Sequence, residues 1–588
     1  MTRTGQDAPI RLRLALGGLG ALAGLALWAL GEAKGNPQLP PMLWLLSLAG
    51  LGSFAAVALA LSGPLRFAVA LLGGVAVAVP AALLLGWAGL RFDAADEVAG
   101  RPELLTVWML MLFLVTPFVL VRLRGREPVT DHAALFEAAW NLTVRYGLAW
   151  LFIGLFWLVL LLSAGLLELV GVDAIERILR SDRLRFVLSG GVLGLALAVM
   201  HELRKRISPD LALRLLRLLL PVLLTVLLVF LVALPFRGLT GLFGGVSPAA
   251  TLMGTVAAAI TLVSAALDRD EANAVATSGL RGATRVLAVI LPVPAALAVW
   301  AIALRVHAHG WTPDRLLAAL AAGVLLAYAL SYAACALSGR RWTGRIRTCN
   351  VALAGVSILL AALWLTPALD AFRISAASQL ARHQTGGTDG TDLPLWHMAH
   401  DWGRAGRAGL DRLATGADLA LAKRIAEARN TPSRSSYESA AEDDSVQQDA
   451  AELVEVMPVR PQGASFAGRD LDQVPPFYVR QWLDGCRRQL SDGRPGCVLV
   501  RGNFRPGIPA AQQAMVLFLD SGQRVRATYL RHRPDGDPDL RAVFDPQEGS
   551  VPDLPAGALA QVLDGESDVV PSGVRALGVG GAVLMPGF

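Results

Sequence analysis

The chain has 588 residues, of which 54% are hydrophobic and 17% charged. Soluble domains carry about 25% charged residues, so a soluble globular protein is excluded for most of the length. The formal charge of +6 comes almost wholly from arginine, since lysine occurs only at Lys34, Lys205 and Lys423; the arginines sit in short segments between apolar runs, which marks membrane topology and not a nucleic-acid surface.

The elements follow in chain order. A run of about 18 or more apolar residues can cross a hydrocarbon core of about 30 Å. Eleven such runs are predicted, over about 12–30, 42–62, 66–90, 103–121, 146–170, 184–200, 213–235, 248–267, 284–304, 316–338 and 349–369. Pro80, Pro117, Pro221, Pro292 and Pro294 interrupt some of them, and read as kinks whose freed carbonyls neighbouring helices re-satisfy. The first run follows Arg11 and Arg13. It is long and precedes further spans, so it is expected to be a retained helix and not a cleaved signal peptide.

Arginine and lysine set the orientation. With the N-terminus inside, the inner segments hold seventeen Lys and Arg residues and the outer segments ten. The outer segment 171–185 carries Arg177, Arg180, Arg183 and Arg185 beside Asp173, Glu176 and Asp182, and is expected to lie along the membrane surface as an amphipathic element. An odd number of spans then places everything after residue 370 outside. The arginine bias suggests a GC-rich bacterial genome, and in a bacterium the outside of the inner membrane is the periplasm.

The run "FEAAWNLTVRYGLAWLFIGLFWLVLLLSAGLLELVGVDAIERIL" is followed by "FVLSGGVLGLALAVMHELRK" and later by "GLFGGVSPA" and "RISAASQLAR". Over roughly residues 10–410 this order of helices and patches resembles the bacterial membrane proteins of domain-of-unknown-function 4153. The resemblance implies an integral inner-membrane protein without an assigned activity. It supplies no catalytic residues to carry over.

Three sets of polar residues stand out within and around the spans. Glu137, Asn141 and Arg145 fall at i, i+4 and i+8, one face of a helix, and read as a solvated juxtamembrane stripe or a polar path into the bundle. His201 and Glu202 lead into Arg204, Lys205 and Arg206, which read as contacts to anionic lipid headgroups at the inner surface. After the last span, "DLPLWHMAHDW" brings His397, His400 and Asp401 close in sequence, with His383 upstream. A His pair at i, i+3 can share a metal. The glutamate of H-E-x-x-H is absent, so a docking role is expected, with Trp396 and Trp402 in a membrane-interface belt.

Residues 370–428 are expected to be a juxtamembrane helical segment, 429–468 a flexible linker that is polar and low in aromatics, and 469–588 a small α+β domain. In that domain "PFYVRQWLDGCRRQL" and "PAGALAQVLDG" read as helices, "CVLVRGNF" as a strand and "AMVLFLDSGQRVRATYLR" as a hairpin turning at "DSG". Asp535, Asp537 and Asp539 alternate, but the glycine and glutamate of a calcium loop are missing, so a turn is predicted. Cys486 and Cys497 are expected to form a disulfide on the oxidising side, while Cys335 and Cys349 flank the last inner segment and should stay reduced.

The fold expected is an all-α polytopic membrane bundle of eleven transmembrane helices over 1–369 followed by a small α+β extramembrane domain. No phosphate loop, dinucleotide fingerprint, G-x-S-x-G elbow, cofactor motif or metal motif is present. The function read from this is a scaffold or anchor in the lipid bilayer that presents a periplasmic domain to an envelope partner, without nucleic acid. The alternatives are a transporter of a small solute or lipid, and a membrane enzyme acting on lipid or cell-wall precursors.

Overall fold

A computed structural model describes residues 4–169, 174–203, 209–237, 247–272, 274–275, 277–339, 341–386, 392–471, 473–532, 538–545, 551–570, 576–579 and 582–586. The chain divides into two compact units, Met1–Arg429 and Asn430–Phe588.

The elements of the first unit are helices joined by short turns. Its helices are α1 (Thr4–Glu32), α2 (Pro41–Leu61), α3 (Phe67–Gly89), α4 (Pro102–Arg124), α5 (His132–Glu168), α6 (Ala174–Arg180), α7 (Asp182–Glu202), α8 (Pro209–Arg237), α9 (Pro248–Leu267), α10 (Ser278–Ile290), α11 (Pro292–His309), α12 (Pro313–Leu337) and α13 (Trp342–Leu365). Four shorter ones follow: α14 (Ala371–Gln384), α15 (Leu395–His400), α16 (Gly403–Ala414) and α17 (Leu419–Asn430). Eleven helical stretches are long and apolar enough to cross a membrane, with α10 and α11 joined as one of 32 residues.

Local chemistry sets where these helices begin. Asp131, Ser181, Thr312 and Asp370 each accept a hydrogen bond from a first-turn N–H, which satisfies donors that no helical carbonyl can reach. Proline opens α2, α4, α9, α11 and α12, where its missing N–H costs nothing. The predicted run 284–304 spans a break at Leu291–Pro292, because Pro292 cannot donate to the turn before it. The segment expected to lie on the membrane surface contains the short α6, with Arg177 and Arg180 exposed.

Lipid offers no hydrophobic drive between helices, so close approach of backbones must supply the contact. α1 and α7 achieve it through Gly20-x-x-x-Gly24 and Gly190-x-x-x-Gly194. A Cβ on Gly20 would lie 2.0 Å from the carbonyl oxygen of Gly190, and one on Gly190 would lie 2.1 Å from that of Gly20. Gly194 meets the Leu16 carbonyl and Gly24 the Phe186 carbonyl in the same way, at 2.0 and 2.2 Å. The pairings descend in one chain as they ascend in the other, so the helices are antiparallel.

The second unit contains α18 (Arg434–Val456), β1 (Val459–Arg460), α19 (Pro476–Arg487), β2 (Cys497–Arg501), β3 (Gln513–Leu519), β4 (Arg524–His532), β5 (Pro538–Phe544), β6 (Leu554–Pro555), α20 (Ala556–Asp564), β7 (Asp568–Val570), β8 (Ala576–Val579) and β9 (Ala582–Pro586). The sheet runs β1-β2-β3-β4-β5-β9-β8-β7, with β6 on β4. β1 is parallel to β2, and the remaining pairs are antiparallel. Every residue of β3 is buried. Met515, Leu517 and Leu519 pack with Leu559 and Val562 of α20, while Ala514, Val516 and Phe518 pack with Val479 and Trp482 of α19. A strand covered on both faces reads as one apolar run, which is why "AMVLFL" shows no alternation.

Residues 429–468 are not a flexible linker, since most of them form α18 and β1. Their Ala, Glu, Gln and Asp are compatible with a helix, and the segment does have an apolar stripe: Ala450, Leu453, Val454 and Met457 pack in the core that α19 shares. Arg487 and Arg480 of α19 hold Glu452 and Asp449 of α18 at 2.7 and 3.5 Å. Low aromatic content concealed a stripe made of small and aliphatic residues.

Candidate functional site

Call the end of the bundle where α1 begins the N face, and the other the far face. On the N face the stripe on α5 separates by burial. Glu137 is exposed, Asn141 half-buried and Arg145 buried. The Arg145 guanidinium donates to the carbonyls of Ala60 and Ser62, at 3.3 and 3.2 Å. These are carbonyls at the end of α2 that have no helical donor. Tyr146 donates to the Ala56 carbonyl at 2.6 Å, and Asn141 to the Glu137 carbonyl one turn back at 2.8 Å. Arg145 therefore ties α5 to the end of α2, a role that spacing in sequence cannot reveal. His201 packs on Gly63, whose φ of +96° forms the tight turn after α2 and whose Cβ would meet the ring at 2.8 Å. Glu202 pairs with Arg13 of α1 at 3.0 Å. Arg204, Lys205 and Arg206 lie outside the described residues.

A second N-face cluster joins α8, α9, α10 and α13. Arg217 pairs with Asp268 and donates to the Ala265 carbonyl at 2.9 Å. Arg347 donates to the Leu267 carbonyl at 2.6 Å. Glu271 accepts from Arg281 and Thr343 at 2.6 and 3.0 Å. Burial works against its charge, but the Thr343 hydrogen bond together with Arg281 and Arg347 holds the carboxyl below its ordinary range. Nearby, Tyr332 bonds both Ser264 and Asn350, at 2.9 and 2.6 Å. Cys335 and Cys349 are both free thiols, whose sulfurs are in hydrogen-bonding contact at 3.7 Å.

On the far face His397 and His400 do not converge on one point. His397 Nδ1 meets Asp401 at 2.6 Å, and His400 Nε2 meets the Ala428 carbonyl at 2.8 Å. Arg101 pairs with Asp401 and donates to the His400 carbonyl at 2.6 Å. Burial opposes the Asp401 charge, yet the hydrogen bonds from His397 and Arg101 outweigh it and lower the pKa. Among the described residues no three His, Cys, Asp or Glu side chains group as a metal site. This set fastens α15 to the segment before α4 and to α17. Trp402 is buried, while Trp396 stacks on His400 with centroids 4.8 Å apart.

Beside it lies a cleft of about 480 Å³. Arg91, Arg373, Arg404, Arg412 and Asp370 line it, over apolar Trp87, Leu90 and Leu380. The repeat "GRAGRAG" shapes one wall. In α16, Gly403, Gly406 and Gly409 recur every third residue and are buried. A Cβ on Gly406 would lie 2.3 Å from the Met398 carbonyl, and one on Gly403 2.5 Å from that of Arg91. With its glycine face pressed inward, α16 turns Arg404 and Arg412 outward, where both are exposed. Sequence reading placed this helix but did not single out its arginines.

A second cavity, of about 670 Å³, lies among α1, α2, α5 and α7. Gly52, Ala55, Leu59, Trp150 and Ile153 help line it, with Asp182 and Arg185 among its few charged groups.

In the second unit Cys486, in the last turn of α19, is disulfide-bonded to Cys497 at the start of β2. The approach is possible because Gly485 and Gly496 carry no side chain; a Cβ on Gly485 would lie 2.6 Å from Phe518 Cβ. Arg494, in the turn between the two cysteines, pairs with Asp492 and Asp564, each at 2.7 Å. Asp539 sits in β5 and pairs with Arg541 at 2.9 Å, while Asp535 and Asp537 lie outside the described residues. Phe477, at the second position of α19, leaves 66% of its surface exposed.

A family model described as "Domain of unknown function (DUF4153)" matches residues 39–412, more than half of the chain. No curated protein and no solved structure matches.

Proposed function

The chain is a multi-pass membrane protein that belongs to the DUF4153 family, and on that premise we propose that it is a scaffold of the bacterial inner membrane, with a cytoplasmic N face, presenting its second unit to a protein partner in the periplasm. The observation that carries the reading is the build of residues 430–588. They form a separate unit with their own two-sided core, a disulfide, and an exposed aromatic, Phe477, projecting from a helix seated on that core. Large aromatics exposed on a rigid helix are typical anchors of protein interfaces. The transporter reading calls for a polar cavity at membrane depth, whereas the cavity described among α1, α2, α5 and α7 is lined mainly by apolar groups.

A photocrosslinking residue in place of Phe477, in the full chain in living cells, tests the role. A reproducible crosslinked envelope protein, absent when the probe is moved to the exposed Arg434, is expected. Crosslinks only to lipid, or to no reproducible protein, would remove the scaffold reading.

The compartment has its own test. When cells are quenched with acid and the denatured chain is alkylated without reductant, two of its four cysteines should be modified, Cys335 and Cys349. After reduction all should be modified. Modification of Cys486 and Cys497 before reduction would place the second unit on the reducing side.

A further inference from the structure

We propose that the cleft between α3, α14 and α16 is a binding site for an anionic phosphate group, held by Arg91, Arg373 and Arg412 and drawn from a phospholipid of the leaflet at the far face. The inference concerns the first unit and stands independently of the scaffold reading.

The charge of the cleft is lopsided. Four guanidiniums line it against one carboxylate, Asp370. That carboxylate is already engaged, since it accepts the N–H groups of Phe372 and Arg373 at the start of α14. Arg404 and Arg407 are partly balanced by Asp93, at 3.3 and 2.6 Å. Arg373 and Arg412 are exposed, and neither side chain has an ionic or hydrogen-bonding partner among the described residues. Such an uncompensated pair on adjoining helices creates a positive potential that attracts anions.

Arg91 is the more telling residue. Its side chain is 5% exposed, and Asp370 stands 3.9 Å away. One nitrogen, Nη2, caps α13 by donating to the carbonyls of Trp364 and Thr366, at 2.7 and 2.6 Å. Nη1 and Nε make no hydrogen bond among the described residues. A buried guanidinium with unsatisfied donors is costly, and burial accordingly pushes its pKa down. A phosphate oxygen reaching the cleft would satisfy those donors, and arginine's planar fork matches phosphate geometry.

The remaining lining says where the phosphate comes from. Trp87 and Leu90, at the end of α3, are 50% and 56% exposed, which is the pattern of an interfacial tryptophan and an acyl-facing leucine. Leu380 continues the apolar side. A soluble anion needs only the arginines. A lipid would also use the apolar wall, with its chains leaving along α3 into the leaflet.

Native mass spectrometry of the full chain, after exchange into detergent with phosphatidylglycerol or phosphatidylcholine, decides it. Wild type should retain phosphatidylglycerol in preference by about tenfold or more, because both lipids offer a phosphate but only the zwitterionic one also brings a choline cation that the arginines repel. R373A/R412A should lose that preference, R373K/R412K should keep only part of it because lysine lacks the fork, and the control R524A/R526A, in β4 of the second unit, should keep all of it. An equal preference in wild type and R373A/R412A, or no preference in wild type, overturns the site. Titration with inorganic phosphate separates the sources. If inorganic phosphate binds in an Arg373- and Arg412-dependent way while phosphatidylglycerol is not retained, the leaflet origin is overturned and the phosphate site stands.

Discussion

Replacing Gly20 with leucine should part α1 from α7 and destabilise the bundle at or beyond the top of the about 1–3 kcal/mol range of ordinary overpacking. The reason is that the obstacle is backbone. Side chains can change rotamer, but the Gly190 carbonyl that a Cβ would meet at 2.0 Å cannot retreat without moving a whole helix. The contact repeats at Gly24, Gly190 and Gly194, so a shift that relieves one position opens the others. Packing and close-approach hydrogen bonding hold membrane helices together, and both decline with distance. Gly18 supplies the control: a Cβ there meets nothing within 4 Å. Unfolding of the full chain in mixed micelles, titrated with denaturing detergent, should show a large loss for Gly20→Leu and next to none for Gly18→Leu. Equal behaviour of the two variants would refute the antiparallel glycine contact.

Trp482→Ala should cost about 3–5 kcal/mol, the usual range for removing a large core aromatic, and the loss should be confined to the second unit. Trp482 is fully buried between α19 and the sheet, next to Val479, Val516 and Phe518. A domain of this size has only about 5–15 kcal/mol in hand, so the variant should leave residues 430–588 open to protease while the first unit stays protected. Limited proteolysis of the full chain followed by intact-mass analysis reads this directly. Simultaneous loss of both units would show that their cores are not separate. The Cys486–Cys497 bond contributes a smaller amount, about 2–3 kcal/mol for a loop of its length in the chain-entropy model, and should slow the opening of the variant without preventing it.

Much of the architecture is legible in the sequence. A membrane-spanning helix is announced by the length of its apolar run, because the bilayer demands about 20 residues whatever the neighbours are. The strand–turn–strand at 513–532 announced itself through "DSG", and α19 and α20 through their own periodicity. The helix at 434–456 is not legible as one, because its apolar stripe is confined to its last turns and made of small and aliphatic residues such as Ala450, Leu453 and Val454.

The polar sites were far less legible. Glu137, Asn141 and Arg145 share α5, but only the packing shows that Arg145 serves the carbonyls of Ala60 and Ser62, more than eighty residues earlier. His397 and His400 look like a pair in sequence and are separate in space, because each has a nearer partner. Arg91, Arg373 and Arg412 carry no signal at all as a group, since they come from three segments of the chain. By itself the sequence determined the eleven stretches long and apolar enough to cross a membrane and the succession of a helical bundle and an α+β region, because hydrophobic length and turn chemistry are local properties. Only the tertiary structure decided which glycines touch, which arginines cap helices and which four arginines share a cleft, because those depend on where distant segments meet.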